Sequence, residues 1–169
     1  MNSAALLSDA YGRIKEEVHS AVEGLSAAQL GERLDPGANS ISWLVWHLTR
    51  IQDDHVSEAA QLEQVWTAGD WAGRFALPFA DEATGYGHTP AQVGRVTVDS
   101  GQLLLGYYDA VHEQSLGFIR GLRDKDLDRI VDESWTPPVT LGVRLVSVLS
   151  DDLQHAGQAL FVRGALERR

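Results

Sequence analysis

Residues 39–60 read NSISWLVWHLTRIQDDHVSEAA, and this stretch decides how the rest of the chain is understood. Apolar residues recur in it at helical spacing, and Asn39 or Ser40 stands in front of them as an N-cap. At 100° per residue from His47, the side chains of Ile41, Leu44, Leu48 and Ile51 fall within about 120° on one side, and Trp43 and Asp54 within about 40° on the other. His47 therefore lies at the edge of a buried stripe, with Asp54 two turns further on. His55 falls nearer the middle of the apolar side. The periodicity predicts a helix that ends near Gln64.

A second stretch of the same kind runs from Thr140, its N-cap, to Leu166 and carries Asp151, Asp152 and His155. In the same projection Leu141, Leu145, Val148, Ala159 and Val162 surround the direction of His155, and the two aspartates flank it within about 60°. A buried carboxylate without compensation costs several kcal/mol, so it pairs, takes up a proton or binds a cation. Asp151 and His155 are one helical turn apart, the spacing at which two side chains converge on one ion, and His47 on a facing helix supplies a third ligand. Such a set leaves coordination positions open to water or substrate. It suits a divalent ion, with zinc and nickel ahead of iron and manganese. The plainer alternative is a polar network, because a lone histidine on a helix edge is more often structural than ligating, and Asp152 can pair with Arg50 or Arg144.

Outward from these two segments, Leu6, Leu7, Ala10, Tyr11, Ile14 and Val18 predict a first helix from a Ser3 cap to about Val22. Ser26 caps a short turn, and Asp35-Pro36-Gly37 breaks the chain before the second long helix. From Trp66 to Val98 the period is lost in a Gly- and aromatic-rich segment that is too long for an ordinary connection and too apolar for a disordered one. It reads as a lid or pocket wall, with Thr89-Pro90 opening a short helix inside it. Asp99 is placed as the cap of a third long helix through Leu103, Leu104, Tyr107, Val111, Phe118, Ile119 and Leu122, and residues 123–139 as a polar loop. His19, His88 and His112 are assigned to solvated faces or loops, His88 within reach of a pocket mouth. The five tryptophans are assigned to core and pocket wall. The pattern is all-α: a four-helix bundle in one domain, residues 1–169, with an irregular insertion between the second and third long helices.

Composition narrows the function. A chain of 169 residues buries roughly 70% of its unfolded surface and needs no metal merely to fold, so a metal here serves chemistry. Fourteen Lys and Arg against 24 Asp and Glu give a net charge of −10, which argues against nucleic acid or an anionic membrane as partner. With no cysteine, any metal is held by His, Asp or Glu, and any thiol arrives with a substrate. No stretch approaches the ~20 apolar residues of a membrane span, and the expected location is cytoplasmic.

PGANSISWLVWHLTRIQDDH in the second long helix and LSDDLQHAGQALFVRG in the last resemble the DinB/YfiT-like superfamily of metal-binding four-helix bundles. The likeness is nearest the branch that includes the metal-binding domain of mycothiol-dependent maleylpyruvate isomerase. It implies one ligand from the second long helix and two, four residues apart, from the last: His47, Asp151 and His155. Where relatives carry His or Glu as the middle ligand this chain has Asp151, one methylene shorter than Glu, with Asp152 and His55 as alternatives. Characterised relatives include transferases and isomerases that use mycothiol, bacillithiol or glutathione-like thiols. The resemblance thus implies a divalent-metal-dependent thiol S-transferase joining a small thiol to a small electrophile, with Asp54 or Asp152 orienting a ligand or handling protons. A hydrolase using a metal-bound water and a non-catalytic, stress-related binding bundle are the alternatives, and pairing into a homodimer through an apolar helix face is left open.

Overall fold

The computed structural model describes residues 1–168. Its eight helices are α1 (Ser3–Val22), α2 (Ala27–Gly31), α3 (Ile41–Ala60), α4 (Val65–Ala68), α5 (Trp71–Phe75), α6 (Pro90–Val93), α7 (Gly101–Arg120) and α8 (Leu141–Leu166). A 3₁₀ turn at Asp124–Asp128 precedes a two-stranded antiparallel ribbon, β1 (Ile130–Asp132) with β2 (Val139–Thr140). The fold is all-α and is built on α1, α3, α7 and α8, with the smaller helices α4 to α6 inserted between the second and third of them. Helices α3 and α1 each pack against both α7 and α8, so α1 and α3 stand across one diagonal of the bundle. No helix among the described residues is long and apolar enough to cross a membrane.

Several helix ends differ from the predicted ones for identifiable reasons. The cap of α1 is Asn2, whose side chain accepts from the Ala5 amide at 2.9 Å, and Ser3 is the first helical residue. Ser40 caps α3 through the Trp43 amide, and Thr140 caps α8 through the Val143 amide. At the start of α7 the cap position belongs to Ser100, not Asp99. Gly101 follows because a Cβ there would come within 2.8 Å of Val22 Cγ1, at the end of α1. Helix α3 stops at Ala60, short of Gln64, because Gln61 adopts a left-handed φ of 57° and turns the chain back. The polar loop of 123–139 is more ordered than its composition suggests. Ile130 and Val131, both β-branched, favour the extended pairing of this strand with Val139 and Thr140.

Fifteen of the twenty residues of α3 are buried, so it lacks the single polar face of a surface helix. One face meets α7 and α8, and the insertion covers the other. The link between helix and insertion is polar. Asp53, 1% exposed, accepts from the Val65 and Trp66 amides at 2.9 and 2.8 Å and from the Tyr107 hydroxyl at 2.8 Å. Its carboxylate thereby satisfies two free N–H groups at the start of α4. Arg50, fully buried one turn earlier, lies 3.7 Å from the Asp53 carboxylate and donates to the Ala83 carbonyl, Gln64 Oε1 and the Tyr107 hydroxyl. Its guanidinium also sits 4.9 Å from the Trp66 ring centre.

The second buried acid is different in kind. Asp152 on α8 is fully buried, and neither carboxylate oxygen has a hydrogen-bond partner among the described residues. The expected pairing with Arg50 or Arg144 is absent, since Arg50 is committed to the insertion and Arg144 to His55, Glu58 and Asp132. Burial, reinforced by the charge of Asp151, pushes the Asp152 carboxyl well above the usual carboxylate range. His112, expected on a solvated face, is also buried at 3% exposure, stacked 5.9 Å from Tyr108. The buried stripe of α7 is wider than one face because the helix touches both α1 and α3. Leu6 departs in the opposite sense: it points outward, 59% exposed.

Two outcomes are expected. Asp53→Ala strands the α4 amides and the Arg50 charge, and breaking a buried pair in this way should lower the unfolding free energy by about 3–5 kcal/mol in a urea titration. A loss under about 1 kcal/mol would show that the pair does not anchor the insertion. For Asp152 the sign follows from its raised native value: the unfolded chain ionises above its ordinary 3.8 while the native carboxyl resists. Its stabilising contribution is therefore full below 3.8 and is lost as the pH rises through the native value. Asp152→Asn cannot ionise, so its stability relative to wild type should be higher at about pH 8 than at about pH 4, and a gap that does not change with pH contradicts burial as the cause.

Candidate metal centre

The seam between α3 and α8 brings together His47, Asp151 and His155. One ligand-capable atom from each lies within 4.8 Å of the other two, with His47 buried and Asp151 and His155 half-buried. The i, i+4 geometry of α8 places Asp151 Oδ1 3.6 Å from His155 Nε2. The two imidazole rings meet edge to face at 4.8 Å.

Each histidine is held by its other nitrogen. His47 Nδ1 donates to the Thr84 carbonyl at 2.5 Å, and His155 Nδ1 donates to Gln158 Oε1 at 3.1 Å. Both bonds put the proton on Nδ1 and leave the Nε2 lone pair free, the arrangement that metal-binding histidines require. Trp43 stacks on His47 at 4.5 Å and meets His155 edge-on at 6.1 Å, so one indole fixes both rings. Burial holds His47 below the ordinary imidazole value, aided by the nearby His155 and opposed by Thr84 and Asp151. It is therefore neutral at pH 7, as a ligand must be.

The insertion contributes the fourth wall. Thr84 supplies the carbonyl for His47, and the next residue, Gly85, has φ +92°. A Cβ on Gly85 would come within 2.9 Å of both His47 Nδ1 and the Trp46 ring, so only glycine fits there. His88 closes this side, stacked on Trp46 at 5.8 Å and accepting from Trp43 Nε1 at 3.2 Å.

These residues fit a divalent ion. Asp151 Oδ2 is buried without a hydrogen-bond partner among the described residues, and both imidazoles have Nδ1 engaged by an oxygen acceptor and Nε2 left to an ion. Ligands about 2.0–2.1 Å from a zinc-sized ion lie roughly 3–4 Å apart, so the cluster closes on one with small side-chain adjustments. The other sequence-based candidates lie outside it. Asp54 accepts from Gln64 Nε2 at 2.8 Å, and its other oxygen lies 3.7 Å from His55 Nδ1. His55 Nδ1 faces Arg144 Nη1 at 2.9 Å. Asp152 is turned into the core and is fully buried. Thr84, Gly85, Trp43 and Gln158 escaped the sequence reading as supports of the site. Only Gln158, three residues beyond His155, carried a local signal.

Residues 10–159 match the DinB superfamily. Among solved structures, the crystal structure of a conserved protein from Enterococcus faecalis superimposes over 96% of this chain and 96% of that one, with a TM-score of 0.90 and 31% sequence identity. No curated protein matches the chain in sequence. The resemblance to the maleylpyruvate isomerase branch gains nothing from these comparisons. A family match over nearly the whole bundle, together with a close structural relative, establishes that this chain belongs to the DinB superfamily.

Proposed function

We propose that the protein is a divalent-metal-dependent enzyme of the thiol S-transferase type, holding its ion with His47, Asp151 and His155 and acting on a small thiol and an electrophile. The observation that carries the metal-dependent part is the pairing of this three-residue cluster with a cavity of about 360 Å³ that Asp151 also lines. A structural metal site is closed by its protein ligands, whereas three ligands beside an open cavity suit catalysis. The thiol is the finer part of the reading and rests on the resemblance of the two helix motifs to thiol-dependent relatives. A chain without cysteine must receive its thiol from solution.

A bound ion supplies Lewis acidity that favours the deprotonated form of a thiol at neutral pH. The protein's own groups do the rest. Thr84 and Gln158 fix the histidine tautomers, Trp43 fixes their planes, and the stretch from Thr84 to His88 limits water on the insertion side. Asp54 acts from beside His55, within reach of solvent, as the group through which a proton leaves. Asp152 acts from behind, as a carboxyl raised by burial in the core one residue from Asp151. Zinc and nickel lead the candidate ions, and the protein is expected to work in the cytoplasm.

Untagged protein should contain about one divalent ion per chain, and His47→Ala and His155→Ala, folded by circular dichroism, should contain none. Consumption of a mycothiol- or bacillithiol-like thiol with a test electrophile should stop on chelation and in His155→Ala. Turnover by metal-free protein removes the proposal, and product formation without thiol redirects it to hydrolysis. Gln158→Ala should keep the fold and weaken zinc binding by about 10-fold or more through loss of the His155 hydrogen bond. Unchanged affinity by competition with a chromophoric chelator would show that Gln158 does not orient the ligand.

A further inference from the structure

The cavity beside Asp151 has a chemical character of its own. Its walls are Ile51, Val139, Val143 and Val148, and Tyr86 and Trp135 stand at its rim, 89% and 64% exposed. Two aromatic rings left in water next to an apolar hollow present surface that a ligand can cover. The ribbon between β1 and β2 carries Trp135, and the turn after Gly85 carries Tyr86, so segments far apart in sequence frame one opening.

Three charged side chains line the cavity, and their pairing determines which ligands it accepts. Arg144 is 8% exposed and is already matched by two carboxylates, Glu58 at 2.7 Å and Asp132 at 3.1 Å. Its guanidinium therefore has no uncompensated charge to offer an anion, and Asp132 and Asp151 repel one. The same Arg144 sets the state of His55. A guanidinium only donates, so His55 Nδ1, 2.9 Å from Arg144 Nη1, is the acceptor and the ring proton sits on Nε2. Burial, and then the Arg144 charge, keep His55 below its ordinary value, which agrees with a neutral ring. Its Nε2–H has no hydrogen-bond partner among the described residues. The hollow thus offers apolar walls, aromatic rims, a neutralised cation and one free N–H donor.

We infer that this cavity binds an uncharged organic molecule with an aromatic or branched apolar body and one carbonyl-type oxygen, which accepts a hydrogen bond from His55 Nε2–H. The inference takes from the proposed function the idea that this molecule is the electrophile, while the binding itself stands on the cavity alone. Asp151, shared by cavity and cluster, puts the bound carbonyl compound next to the ion site. His55 is a substrate-positioning residue in this arrangement. Trp135 and Tyr86 cover the apolar body.

Acetophenone is a suitable probe because it is neutral, aromatic and inert towards amines under mild conditions. Ethylbenzene lacks its oxygen, and benzoate replaces the ketone by a charge. Saturation-transfer NMR and tryptophan fluorescence on the full metal-free chain should show saturable acetophenone binding, with ethylbenzene weaker by about fivefold for one lost hydrogen bond. Benzoate should be weaker still. His55→Leu should erase the preference for acetophenone over ethylbenzene, and Trp135→Ala, an exposed loop change that spares the core, should weaken both. Absent saturable binding, tighter binding of benzoate, or a ketone preference that survives in folded His55→Leu each overturns the inference. Zinc binding measured on the same samples separates the two ideas. Zinc without acetophenone sinks the cavity assignment and leaves the metal reading standing, whereas acetophenone without zinc, including in His155→Ala, does the reverse.

Discussion

The buried pair of Arg50 and Asp53 is the constraint on which the arrangement of this protein depends. It joins the second long helix to a forty-residue excursion that has little regular structure of its own. An acid and a base taken out of water are unfavourable unless every donor and acceptor is matched, and here the matching partners are backbone groups of the excursion. The cost of burying the pair is offset only if the excursion is in place. Once Ala83 is tied to Arg50, the next residue is Thr84, whose carbonyl reaches His47. The chain of dependence runs from a salt bridge in the core, through one short turn, to the tautomer of a histidine.

That dependence explains why the candidate site lies on α3 and α8 rather than on any other pair. This seam leaves Asp151 and His155 half-buried on one side and is backed on the other by Thr84 of the excursion. Its two histidines share an indole, Trp43, and each spends one nitrogen on a neutral acceptor. A negatively charged acceptor would make the imidazole more basic. Neutral acceptors keep the ring available to an ion without raising its appetite for protons.

The four long helices were legible because their apolar periods are regular, and His47, Asp151 and His155 were legible because one helical turn separates two of them. The excursion was legible as an irregular insertion with a short helix opening at Thr89-Pro90, but its internal order was not, since that order comes from Asp53 and Arg50, residues whose partners lie twelve to fifty-seven positions away. Sequence periodicity treats α3 as a one-sided helix and cannot see a cover that arrives from outside the repeat. Helix ends failed for a related reason. Gln61 carries no glycine or proline signal, and it takes a left-handed turn because the amides after it are needed at Asp53. His112 was misplaced by the same blindness to a second neighbour, and Asp152 was assigned a partner because an unpaired core acid is not something that composition suggests.

Asp151 and Asp152 are chemically identical neighbours with opposite surroundings. About 100° of helical rotation separates them, and that angle alone sends one to the seam and the other into the dry interior. The phase of α8 is thus part of the active design as much as any side chain. Losing a single residue between Thr140 and Asp151 would carry Asp152 into the place of Asp151 and Ala156 into that of His155, whereas gaining one would put Ser150 and Gln154 there, so either step takes the histidine off the seam.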